Sequence, residues 1–186
     1  MQEHPRLTIT MDGRLCFLLA LLLLLLPLPW VLAAIFAACV HELCHAVAIL
    51  LQNGQIYALH LTAGGIRMQA TPLRPGGELL ASLAGPFGSA ALALFAPILP
   101  RAGFCGAVHC LFNLLPLFPL DGGRVLQNLL LLCMPAYKAD RLFGKTQGFI
   151  RVLLALLCVA ASLRWGMMLA VVGLLMILRQ WRSRTV

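Results

Sequence analysis

The apolar run from about residue 30 to 52 includes Phe36 to Leu51, FAACVHELCHAVAILL, and it restricts the fold of this chain more than any other stretch. About 22 residues rising 1.5 Å each match a hydrocarbon core of about 30 Å, so the run can cross a bilayer as a helix. Yet His41, Glu42 and His45 sit at its centre, where an ionisable side chain costs about 2.5–3.5 kcal/mol even on mild insertion scales. The segment therefore reads as a site as well as a span.

On a helix His41 and His45 lie four residues apart and stack on one face, the spacing at which two imidazole nitrogens reach a single Zn2+. Glu42 adjoins that face, where a carboxylate can take a proton from water. Catalytic zinc wants three protein ligands and an open position. The chain has six carboxylate side chains, Glu3, Asp12, Glu42, Glu78, Asp121 and Asp140. Apart from Glu42, only Asp121 lies outside the tails and loop edges, at the end of the apolar stretch FNLLPLFPLDGGRVL. Pro116 and Pro119 break a helix there, and Gly122-Gly123 relax the backbone, so the Asp121 carboxylate can turn inward as the third ligand.

Of the 186 residues, 61% are hydrophobic and 11% charged, which points to an all-α polytopic membrane protein with no separate soluble module. Apolar runs at about 15–27, 30–52, 79–99, 104–120, 149–163 and 165–180 give six transmembrane helices in a single domain over 1–186. The catalytic core covers about 30–130 and helices five and six about 149–180. The net charge of +8 is spread over loops, not gathered on one face, so it argues against a nucleic-acid partner. With the N-terminus inside, Arg6, Arg14, Arg67, Arg74, Lys138, Arg141, Lys145, Arg151, Arg179, Arg182 and Arg184 are cytoplasmic, against Arg101 and Arg164 outside and Arg124 unassigned. That asymmetry places both termini in the cytoplasm. The first run imitates a secretory signal, but the small residues suited to cleavage fall in or just before the HELCH helix, so it reads as a retained helix. The seven cysteines form no CxxC pair and read as free thiols.

Between the second and third runs, Ile56 to Thr62 and Ile66 to Thr71 have strand composition and flank Gly64-Gly65, the pattern of a β-hairpin at the cytoplasmic face. Its open edge can pair with an extended peptide, which makes Gly64 and Gly65 candidate substrate-binding positions. A short amphipathic loop on the membrane surface fits the same residues.

HELCH in a membrane helix, followed by Asn113-x-x-Pro116-x-x-Pro119-Leu120-Asp121-Gly122-Gly123, resembles the site-2 protease family of intramembrane zinc metalloproteases. Ala84-Gly85-Pro86, the Gly64-Gly65 hairpin and the short length are most similar to its stage IV sporulation protein FB branch. The resemblance implies zinc between His41, His45 and Asp121, with Glu42 activating water to cleave a peptide bond in or beside the membrane. It also implies that Asn113 binds the substrate backbone or shapes the break in its helix. The implied partners are a membrane-spanning or membrane-tethered protein substrate, the lipid bilayer of a bacterial cell membrane and a membrane regulatory protein. The substrates it suggests include a transcription-factor precursor in sporulation. One departure is Cys44, where the family has Gly; one residue from His45, its side chain should leave the metal-binding face and pack against a neighbouring helix. His60 in the hairpin reads as a solvated residue, and His109 shares the Asn113 face of its helix. A polytopic metal-binding or transport protein without protease activity is the alternative reading, but a transporter has no need of a glutamate directly after the first histidine.

Overall fold

The computed structural model describes residues 8–63 and 65–165. The chain divides into two compact units, Met1–Cys133 and Met134–Val186. In the first unit the order is β1 (Thr8–Met11), α1 (Gly13–Leu25), α2 (Leu28–Leu51), β2 (Ile56–Thr62), β3 (Gly65–Ala70), α3 (Pro75–Leu94), α4 (Pro100–Asn113) and α5 (Asp121–Cys133). In the second, α6 (Ala136–Trp165) is the described element.

Among the described residues two helices, α2 and α3, are each long and apolar enough to cross a membrane. Prolines set their starts: Pro27 caps α2 and Pro75 opens α3, positions where a missing N–H costs nothing. Small side chains let α2, α3 and α4 approach closely around Ala37, Leu92 and Ala102. The outer surface carries bare apolar side chains, including Leu24 of α1 at 82%, Leu51 of α2 at 79% and Leu94 of α3 at 82% exposure. Water would penalise such a surface, whereas hydrocarbon solvates it; this is the surface of a membrane protein.

The remaining helices correct the sequence expectation. The run at 104–120 is not one helix: α4 stops at Asn113, the chain turns through 114–120, and α5 starts at Asp121. Pro116 and Pro119 have no amide hydrogen to continue the ladder. Residues 121–148, expected as a loop, are α5 and the first part of α6. Lys138, Arg141, Lys145 and Arg151 are therefore helical. The expected run at 149–163 falls inside α6, and the one at 165–180 lies outside the described residues except for its first position. The third run ends early, at Leu94, with turns leading into Pro100.

The hairpin forms with nearly its expected bounds but belongs to a three-stranded sheet, ordered β1-β2-β3. The strand β1 pairs parallel to β2 with Thr8 opposite Ala58, while β3 pairs antiparallel with His60 opposite Arg67. Four residues of β1 carry too weak a pattern to be read as a strand alone; pairing with β2 makes them one.

The hairpin does not stop at the membrane face. The strand β2 leaves the end of α2 and covers about 20 Å at 3.3 Å per residue, which carries its tip back along α2. A Cβ built on Gly65 would lie 3.9 Å from Glu42 Oε1. Gly65 has φ +110°, in the region where only glycine is unstrained. Gly64 lies outside the described residues.

Arg74 and Arg101 precede and open α3 and α4 at opposite ends of α3, and both are exposed. Single cysteines at these positions should therefore react with an impermeant maleimide from opposite sides of the membrane. Labelling of both from one side would refute a spanning α3.

Candidate metal centre

The helices α2 and α5 bring three donor atoms to one point. His41 Nε2 is 2.9 Å from Asp121 Oδ2, His45 Nε2 is 3.2 Å from the same oxygen, and the two Nε2 atoms are 3.1 Å apart. A tetrahedral zinc with bonds of 2.0–2.1 Å separates its ligand atoms by about 3.3 Å, so this triangle is close to the size that the ion needs. His41 and Asp121 are buried, at 2% and 8% exposure.

The outward nitrogens have hydrogen-bond partners of their own. His45 Nδ1 donates to the Ala81 carbonyl at 2.7 Å, and a carbonyl can only accept. In the neutral ring the Nε2 of His45 is then a bare lone pair. His41 Nδ1 meets Ser89 Oγ at 2.9 Å, and with the proton on Nδ1 donated to that hydroxyl its Nε2 faces the same point as a lone pair. Two lone pairs and a carboxylate oxygen directed at one another repel, unless a cation sits between them. The donor set fits zinc in number, type and spacing.

Ala81 and Ser89 carry these outer hydrogen bonds, and the sequence reading had not singled them out. Both belong to α3, with Gly85 midway. A Cβ on Gly85 would collide with His45 Nε2 and lie 2.7 Å from His41 Nε2, so only a bare backbone fits beside the ligands. The signal for this was the small-residue spacing Ala81, Gly85, Ser89, one every four residues and hence near one helix face. Ser89→Ala should weaken zinc binding by about 10–100-fold, the usual cost of losing a ligand's orienting partner, as measured by chelator competition.

Glu42 stands beside the triangle, and the backbone N–H of Ile66 in β3 hydrogen-bonds its carboxylate. Asn113 ends α4, where its Nδ2 donates to the His109 carbonyl at 3.0 Å. That bond closes the last turn before the break and leaves Oδ1 as an acceptor. The His109 ring lies against His41, centroids 4.5 Å apart and planes inclined at 69°, a placement that spacing from Asn113 could not give. Cys44 points to Gly88 of α3, where a Cβ would meet its sulfur, so it fills a helix contact away from the donors. His60 lies on β2 within hydrogen-bonding distance of Thr10 Oγ1 on β1, so it is partnered within the sheet.

No protein-family model and no curated protein sequence matches the chain. Among solved structures, a site-2 protease from Methanocaldococcus jannaschii superposes with a TM-score of 0.69 at 19% sequence identity, covering 94% of this chain and 89% of that one. The chain thus has the fold of a site-2 protease, with a buried His-His-Asp cluster able to hold a metal ion.

Proposed function

We propose that the chain is an intramembrane zinc metalloendopeptidase whose substrate is a membrane-embedded or membrane-tethered protein. The observation that carries this reading is the convergence of His41 Nε2, His45 Nε2 and Asp121 Oδ2, with both Nδ1 atoms directed away from that point. Zinc held there supplies Lewis-acid polarisation of the scissile carbonyl and of the attacking water. Glu42 takes the proton from that water as the C–O bond forms, and returns it to the amine nitrogen as the C–N bond breaks. The Ile66 amide holds the Glu42 carboxylate in place for both transfers.

A membrane helix keeps its carbonyls in intrahelical bonds, so the cleaved segment must unwind first. The edge of β3 supports a way to hold it extended. β3 is the outer strand of the sheet, and its Ile66 amide faces Glu42 and not β2. Along an antiparallel strand the amides that face one way alternate, so Met68 and Ala70 share that edge. A substrate paired there by β-augmentation passes its carbonyls beside Glu42, with Gly65 at the start of the strand and Asn113 Oδ1 as a further acceptor. Cytoplasmic termini and a bacterial cell membrane complete the reading. The likeness of Ala84-Gly85-Pro86 to the sporulation branch supports a tethered transcription-factor precursor as one substrate.

The test is turnover of a single-span peptide with a Gly-Pro weak point by the full zinc-loaded chain in detergent. Cleavage should stop on addition of 1,10-phenanthroline and return on adding zinc. Cleavage that persists through chelation would refute the metalloprotease reading.

A further inference from the structure

Beside the metal centre, β2, β3 and the first turn of α5 enclose an open recess of about 510 Å³ lined by His60, Thr62, Arg67, Met68, Gln69 and Arg124. None of the steps above uses it. Arg67 and Arg124 are exposed to it, and among the described residues neither guanidinium has a carboxylate within ion-pairing distance. Cations at membrane depth are costly without a counter-charge, and two of them facing one cavity favour an anion between them.

The position of the recess says which anion. His45 and His41 lie six and ten residues before the end of α2 at Leu51, about 9 and 15 Å along the helix axis. Asp121 is level with them, and Arg124 is three residues on, about 4.5 Å along α5. Arg124 thus lies within about 5 Å of the donor atoms along the helix axis, and the recess adjoins them. From the other wall, Arg67 is two residues from Gly65, about 7 Å along β3 from the point facing Glu42. A chain paired along β3 with its scissile carbonyl at Glu42 puts a side chain two or three residues away into this space. Gln69 adds a neutral hydrogen-bond donor, and Met68 gives an apolar wall for methylene groups.

We infer that the recess formed by Arg67, Arg124 and the β2–β3 surface is a specificity subsite for an aspartate or glutamate of the substrate. That residue lies two or three positions from the scissile bond, on the side leading to the sheet. The inference rests on the protease reading, because it takes its register from a substrate strand at Glu42.

The test uses quenched-fluorescence single-span peptides of Leu, Ala, Gly and Pro that carry one Glu, or Gln as control, at each position around the weak point. Binding is followed by anisotropy on the full-length Glu42→Gln chain, and cleavage on the unmodified chain. One Glu position, two or three residues from the cut, should bind about tenfold tighter than Gln and lower KM with little change in kcat. In Arg67→Gln with Arg124→Gln that ratio should fall to about one. Equal binding of Glu and Gln at every position, or a preference that survives loss of both arginines, would overturn the subsite. So would the finding that Glu and Gln bind alike while added phosphatidylglycerol changes probe binding only when both arginines are present, the signature of a lipid-headgroup site. Preferential Glu binding without any cleavage would uphold the subsite and defeat the protease reading instead.

Discussion

Glu42→Gln should retain the zinc content of the unmodified chain and cleave a single-span peptide about 10²–10⁴-fold more slowly, the range over which a positioned general base contributes. The three donors belong to other residues, and glutamine keeps the size of the side chain and can still accept from the Ile66 amide. Only the proton acceptor is lost. Elemental analysis and single-turnover kinetics on the same preparation decide the matter. Turnover within tenfold of the unmodified chain would remove Glu42 from the role of base, and a parallel fall in zinc would make it a structural neighbour of the ligands.

Gly85→Ala should abolish zinc binding at a distance of forty residues in sequence from the nearer histidine. The added methyl collides with His45 Nε2 and approaches His41 Nε2, so the imidazoles must turn out of the position in which they face Asp121. The loss should exceed the 10–100-fold expected for Ser89→Ala, because there the ligands keep their space and lose only an orienting bond. Alanine favours a helix interior over glycine by about 1 kcal/mol, so α3 itself should not suffer. Circular dichroism with unchanged helicity, beside zinc content near zero, is the expected pair of results. Normal zinc in Gly85→Ala would mean that the histidines point elsewhere when loaded.

Much of this centre was legible before any coordinates. HELCH carries its own geometry, since a helix turn of 3.6 residues places His41 over His45 whatever surrounds them. Asp121 was found by scarcity, as the one remaining carboxylate beside helix-breaking prolines. The hairpin was legible from its β-branched flanks and paired glycines, although its depth was not: a strand's composition fixes its length, and only the packing of β3 on α2 shows that it turns back to Glu42. The break at Pro116 and Pro119 was legible, but hydropathy does not show that α4 ends ahead of it at Asn113 and that a further helix begins at Asp121. The helix α5 was missed outright, since Arg124, Gln127 and Asn128 dilute its apolar signal. Tertiary neighbours such as Ser89 and the Ala81 carbonyl had no local signature of their own, because their meaning depends on which helix lies opposite.

Along α3, the contributions to the centre differ in what they demand of evolution. Ala81 acts through a backbone carbonyl, which every amino acid possesses, and Gly85 acts by having nothing to project. Of the three positions on that stripe, only Ser89 contributes a functional group. Selection here acts on volume more than on identity, so most of the helix can drift while the histidines opposite stay aimed. A lineage can in this way erase its sequence kinship and still keep its chemistry, with substitutions at 81 and 85 held to the smallest side chains and those on the lipid-facing flank nearly free.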